Sequence, residues 1–463
     1  MGSRFITPFS HLSRNLCSLL AGSLTATADL PSPPPQAPLT IHPGGGNPVA
    51  EAEVNPHLLP DSITFHSSLN QHGIDYSVGY AVEVLGNTSG GFDRGAVAEG
   101  LLKLQLDLDT EGLELWTGGQ FHASALYSHG DSLSQRFTGD LFTFSNIDAP
   151  DALRLFEFWY EHAVVPDRLS LRIGQLAADE EFAGTEHGCL FINGTCGWPG
   201  LLALNVPSPA YPVGTLGARL QLSLDQGWIL RGAVYNGDPY PIGDDGRPEN
   251  GHGTHFSWRD TLSLVEVQKL WNDGPEATGL PGGAKVGGWY HSGLFEHPRY
   301  DSQGLSLADP GSSGDPQWNR GHWGAYVAVD QQVWRESAES PDQGLGLFSR
   351  LGIAPADRSV LEYYLEGGLT YTGLIPGRDA DGLGVAVVYG RMSRHARALA
   401  ADANAFAGTD DPLPDFEMVV ESTYAIQISP ALTVQPVLSY LIHPGGFPGN
   451  DALVLGLRAT MDF

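Results

Sequence analysis

From Ile74 onward the chain alternates apolar and polar residues with a two-residue period. Ile74, Tyr76, Val78, Tyr80, Val82 and Val84 share one parity, with Asp75, Ser77 and Glu83 on the other. Leu102, Leu104, Leu106 and Leu108 stand against Lys103, Gln105, Asp107 and Asp109. In 168–176 the apolar parity is Leu169, Leu171 and Ile173, and the polar one Arg168, Ser170 and Arg172; in 218–225 the apolar set is Ala218, Leu220, Leu222 and Leu224. Such strict alternation is a strand with one apolar and one wet face. Further strands are expected near 113–127, 153–163, 228–236, 258–271, 284–293, 322–331, 345–353, 363–371, 383–391, 417–428, 431–441 and 452–463. That makes roughly 16 strands, many near the 9–11 residues of a tilted membrane strand.

The connections carry a second pattern. Tight turns at Asp109–Gly112, Val165–Asp167, Asp225–Gly227 and Ser429–Pro430 alternate with long segments near 128–152, 177–215, 237–257, 294–321 and 392–416. Loop length segregated by parity is what an up-and-down barrel shows, with short turns at one end and long loops at the other. The turns expected near 272–283 and 332–344 are longer than that pattern prefers. The last strand ends the chain with Leu453, Leu455, Leu457, Ala459, Met461 and Phe463 on one face, the form in which outer-membrane barrels present themselves to their assembly machinery.

Composition narrows the partners. The formal net charge is -29 with Lys plus Arg 24, which argues against nucleic acid as a partner. Residues 1–28 read as a secretory signal peptide: Arg4 and Arg14, then the apolar Leu16–Leu24, then Ala26-Thr-Ala28. Residues 29–72 form a Pro-rich arm expected to be disordered, and 73–463 the barrel. Removal of the signal leaves Cys189 and Cys196, an even pair that suggests a disulfide closing a small loop. His252-Gly-Thr-His255 sits in a Gly-rich loop with no third ligand nearby, so no metal is expected, and no cofactor motif is present.

The chain resembles the OprB family of carbohydrate-selective porins. The resemblance rests on Gly73-Ile-Asp-Tyr76 with Asn87-Thr-Ser-Gly-Gly91, Arg154-Leu-Phe-Glu-Phe-Trp159, Leu171-Arg-Ile-Gly-Gln175, Leu190-Phe-Ile-Asn193 with Gly197-Trp-Pro199, Pro209-Ala-Tyr-Pro212, Tyr235-Asn-Gly-Asp238 and Gly287-Gly-Trp-Tyr290. It implies a 16-stranded antiparallel transmembrane β-barrel in the outer membrane of a Gram-negative bacterium, passing sugars by diffusion, monosaccharides such as glucose foremost. The cysteine pair and the Pro-rich arm depart from the family pattern. Homotrimer and monomer are equally compatible with the sequence.

Strand parity makes 177–215 the third outer loop, expected to fold inward and narrow the channel. A sugar-selective channel needs donors and acceptors in fixed pairs and aromatic faces for stacking. The candidate pore-lining residues are Arg154, Glu157, Trp159, Arg168, Arg172, Asp179, Glu180, Trp198 and Arg219. Arg154 and Glu157 differ in parity, so the pore-lining role that the resemblance gives both requires a bulge or a strand start after Arg154. The alternative class is a secreted β-rich glycoside hydrolase, with carboxylates such as Asp179, Glu180 and Glu266 as acid and base.

Overall fold

The computed structural model describes residues 68–242, 248–273 and 277–463. The signal peptide and all but the last residues of the Pro-rich arm lie outside the described residues; 68–70 form a helical turn leading into the first strand.

Sixteen strands close into one antiparallel barrel, each paired with its sequence neighbours and the first with the last. They are β1 (Ile74–Ser89), β2 (Gly95–Asp109), β3 (Gly119–Gly130), β4 (Ala152–Val165), β5 (Leu169–Leu176), β6 (Thr215–Leu224), β7 (Trp228–Asn236) and β8 (Thr261–Trp271), then β9 (Gly282–Asp301), β10 (Pro316–Arg335), β11 (Gly344–Ile353), β12 (Leu361–Thr372), β13 (Gly382–Met392), β14 (Phe416–Ser429), β15 (Leu432–Ile442) and β16 (Ala452–Asp462). Closure pairs Tyr80 with Met461 and Val84 with Leu457, and the Phe463 amide donates to the Val78 carbonyl at 3.0 Å. A closed sheet has no unpaired edge, so every strand N–H and C=O can be satisfied without water.

The apolar parity faces outward. Leu104, Leu171, Ile173, Leu220, Val265, Val286, Leu365, Val385, Leu438, Leu455 and Leu457 are all exposed. Such a belt is unstable in water and stable in lipid. Exposed aromatic side chains mark both rims: Trp228 and Trp334 at one end, Tyr290, Trp323, Tyr363 and Tyr440 at the other, as interfacial girdles do. No helix among the described residues is long and apolar enough to cross a membrane.

Loop length follows parity as expected. The five longest connections, 131–151, 177–214, 237–260, 302–315 and 393–415, all lie at one end, which is the outer end by the convention of such barrels. One turn differs from expectation: β3 begins at Gly119 rather than near 113, because residues 110–118 form a wider turn with positive φ at Glu114 and Gly118. That turn sends Leu115 and Trp116 to the membrane-facing rim, where Trp116 donates to the Tyr160 hydroxyl at 2.9 Å.

Two long loops enter the lumen. The third outer loop, 177–214, carries α1 (Gly194–Gly197) and α2 (Gly200–Asn205) and crosses to the far wall. The connection 131–151 folds in beside it, and the Gly194 amide donates to the Thr143 carbonyl at 3.0 Å. Leu141, Phe142, Phe144, Trp198, Leu201 and Leu202 form an apolar core with wall residues Leu361, Tyr364, Val388 and Val419. Each large side chain buried in this way stabilises the plug by about 2 kcal/mol.

Cys189 and Cys196 are free thiols, not a disulfide. The turn of α1 packs Cys196 against Phe348 and Ala386, while Cys189 donates to the Thr185 carbonyl at 3.3 Å. Each sulfur is thus committed to its own surroundings. Burial pushes the Cys189 thiol up to about 11 and the Cys196 thiol well above its ordinary value, the behaviour of inert structural thiols.

One residue of the far wall holds the plug. Arg350 on β11 donates to Glu366 at 2.6 Å and to the carbonyls of Ala183, Thr195, Cys196 and Gly197 at 2.5–3.3 Å. Arg350→Met leaves the Glu366 carboxylate buried without its cation, with only the Tyr364 hydroxyl donating to it, and the loop carbonyls without the guanidinium. The expected loss of stability is about 3–5 kcal/mol, read as a lower unfolding midpoint in urea for the variant in lipid vesicles. An unchanged midpoint would show that the clamp is dispensable.

Candidate pore constriction

The candidate constriction lies where the first segment of the third loop meets the wall of β2 to β9. β5 and β6 are short, so the chain leaves the wall at Leu176 and turns inward with Asp179, Glu180 and Glu181 in succession. Glu181 reaches back to the wall. Arg219 Nη2 stands 2.6 Å from it and Arg172 Nη1 3.3 Å. Both guanidiniums also hold Glu161 of β4, Arg172 at 2.7 Å and Arg219 at 3.1 Å, and Arg219 donates to the Ser170 hydroxyl at 2.7 Å. Two cations and two anions therefore interlock, with no net charge. Burial alone would raise the Glu181 carboxyl, but Arg172 and then Arg219 outweigh it and hold the group at about 2.

The loop continues along the wall. The Ala183 amide donates to Glu266 at 2.8 Å, Lys285 donates to the Gly184 carbonyl at 2.7 Å, and the His187 amide donates to Asp330 at 3.1 Å. A Cβ added at Gly184 would meet nothing nearer than Lys285 Nζ at 3.9 Å, so this stretch of loop borders open space. Lys103 of β2 stands 3.7 Å from Glu180, and Arg231 bridges Gln221, Gln268 and Glu266 at 2.7–3.3 Å.

Of the residues expected from the sequence, Glu157, Trp159, Arg172, Glu180 and Arg219 come together here. A bulge makes this work: Ser124 pairs with Glu157 and Ala125 with Leu155, leaving Phe156 extra. That brings both Arg154 and Glu157 to the buried side, as the parity conflict required. Glu157 accepts from the Ala177 amide at 3.2 Å, at the root of the third loop. Arg154 lies higher and serves the second inward loop, donating to the Pro150 carbonyl and the Ser128 hydroxyl, both at 2.7 Å. Trp159 is covered by His122 from β3, stacked at 4.8 Å, and by Arg172 from β5, 3.7 Å from its ring. It braces the arginine rather than offering a free face.

Three expected residues are elsewhere. Arg168 precedes β5 in the tight turn, 62% exposed, and pairs with Asp225 at the short-loop rim. Trp198 is 1% exposed inside the plug, its indole N–H donating to the Ser208 hydroxyl at 3.0 Å, so it cannot stack on a solute. Asp179 accepts from the Tyr211 amide at 2.9 Å and shapes the loop. The hydrolase reading loses two of its three carboxylates in the same way: Asp179 shapes the loop, and Glu266 lies behind it, holding the Ala183 amide and the Tyr326 hydroxyl.

Glu161, Lys103 and Lys285 were not among the pore-lining candidates, nor was Glu181, which reads from the sequence as one of three acidic residues that put acceptors at the start of the third loop. Glu161 shares the parity of Glu157 and Trp159, and Lys103 lies on the wet parity of β2, so both were within reach of the alternation. Glu181 differs from its acidic neighbours through its contacts with Arg172 and Arg219 on two neighbouring strands of the wall.

A closed 16-strand barrel with an apolar outer belt and an inward-folded loop is the architecture of an outer-membrane porin. The carbohydrate-selective porin, OprB family model matches residues 93–463, and the chain belongs to that family. It is 24% identical over 421 residues to Porin B of Pseudomonas aeruginosa, covering 86% of this chain and 89% of that protein. The high-pH structure of Pseudomonas putida OprB superposes with a TM-score of 0.77 at 23% identity, over 87% of this chain and 97% of that one. The low-pH structure of the same protein gives a TM-score of 0.54 at 16% identity, over 89% of this chain and 99% of that one. The chain is a channel of the carbohydrate-selective porin family in the Gram-negative outer membrane.

Because the folded-state value of Glu181 is depressed below its ordinary 4.5, its contribution is fully present above that value and is lost as pH falls through about 2. Single-channel conductance governed by this anchor should hold steady from neutrality to about pH 3 and change below it. In Glu181→Gln the acid-dependent step should disappear. A step of the same size and midpoint in the variant would mean that another group sets it.

Proposed function

We propose that this porin passes neutral monosaccharides, glucose among them, by passive diffusion through the ring formed by Arg172, Arg219, Glu161, Glu181, Lys103 and Glu180. One observation carries the reading: cations and anions in the ring are matched pair by pair. A matched ring offers donors and acceptors in fixed places without the net field that would favour an ion over an uncharged solute. Its contacts must also be weak, since a tightly held solute does not leave; millimolar affinity corresponds to about -4 kcal/mol, within reach of a few partly solvated hydrogen bonds. The strand Ala452–Asp462 with Phe463, which closes the barrel onto β1, is proposed as the segment that the assembly machinery recognises.

The test is conductance of the refolded chain in a planar bilayer, titrated with glucose and then with a disaccharide. Partial block by glucose at millimolar concentration is expected. Arg172→Ala frees Glu181 and Glu161 from one partner and should weaken the block by about tenfold, near 1.4 kcal/mol. Wild-type channels indifferent to glucose would remove the monosaccharide assignment while leaving the family membership untouched.

A further inference from the structure

Three consecutive carboxylates open the third loop, and two are already committed. Asp179 holds the Tyr211 amide, and Glu181 is locked between Arg219 and Arg172. Glu180 between them is different. Among the described residues its carboxylate has one ion pair, the 3.7 Å approach of Lys103, and no hydrogen bond. Its side chain is also the most open of the ring, 32% exposed against 3–17% for Arg172, Arg219, Glu161 and Glu181. Lys103 has the complementary character: its stem is buried in the wall of β2 and, among the described residues, its ammonium has no contact other than that long pair.

The contrast in length decides which groups a passing solute can use. The Arg–Glu contacts at 2.6–3.1 Å are short, charge-assisted and multidentate, and a hydroxyl would have to break them to bind. The Lys103–Glu180 pair is too long for a hydrogen bond, so each group keeps unused capacity: donors on the ammonium, acceptors on the carboxylate. A sugar presenting two neighbouring hydroxyls can accept from one and donate to the other without breaking anything. Thr185 is not a third group: its hydroxyl is buried inside the loop and faces Gly188, not the open space beside Gly184.

We propose that Lys103 and Glu180 form the subsite that reads sugar hydroxyls, and that the Arg172–Glu161–Glu181–Arg219 cluster is a positioning device that fixes the loop beside Glu180. The inference deepens the sugar-channel reading and rests on it. Flanked by two anchored residues, Glu180 presents its carboxylate from a rigid lip, while the long lysine stem lets the ammonium follow the solute.

The test uses the full chain in planar bilayers, with glucose block read as a dissociation constant for wild type, Lys103→Met, Glu180→Gln and the double variant. Lys103→Met should weaken the block about tenfold and Glu180→Gln by several-fold, with the double variant no worse than the worse single one, since the two act on one solute. Arg168→Ala, at the rim, should match wild type. Heat-modifiable migration and an ion conductance near the wild-type value establish that each variant is folded and open. Folded variants that bind glucose as wild type does would overturn the subsite. Wild-type channels without any glucose block would instead fail the monosaccharide reading, so the two failures are distinguishable.

Discussion

Backbone N–H groups that leave a barrel wall and cross its lumen must find acceptors there, because an unpaired buried amide costs as much as a lost hydrogen bond. Here the acceptors are carboxylates on the inner wall. Glu157 takes the Ala177 amide, Glu266 that of Ala183 and Asp330 that of His187. Glu421 takes Ile192 and Asn193, and Glu417 takes Leu141, Phe142 and Gly445. Arg350 does the converse for the carbonyls of α1. A plug made of loops is thereby fixed to the wall at points spread from β4 to β14, and the shape of the channel follows from where those points fall.

This constraint reassigns most of the charge inside the barrel. A charged residue on the inner parity looks at first like a solute contact, because water fills the lumen of a porin. The inner-wall carboxylates above hold a loop, while the stretch at Gly184 borders open space. A large negative formal charge over the whole chain therefore says little about ion preference, which depends on the charges at the constriction.

Much of the fold was legible because alternation is a local property. Leu102 to Asp109 or Leu169 to Leu176 declare a two-faced strand without reference to any other segment, and of the two ways to resolve the parity conflict of Arg154 and Glu157, a bulge or a later strand start, the structure has the bulge, at Phe156. What was not legible depends on contacts distant in sequence. Trp198 reads as a loop aromatic until Ser208 and the wall close over it. Arg168 carries the right parity but falls one residue before its strand, which moves it to the rim. Cys189 and Cys196 have the spacing of a small disulfide loop, yet α1 turns one of them against Phe348. The inward course of 131–151 had no sequence signal beyond its length, since Leu141, Phe142 and Phe144 are as compatible with an exposed loop core.

The central claim is that wall carboxylates immobilise the inward loops. Hydrogen–deuterium exchange of the full chain in lipid nanodiscs tests it most directly, residue by residue. The amides of Ala177, Ala183, Ile192, Asn193, Leu141 and Phe142 should be protected on the same timescale as the strands of the barrel. Exchange of these amides within seconds, while the strands stay protected, would contradict the claim and describe a loop that visits the wall without being held by it.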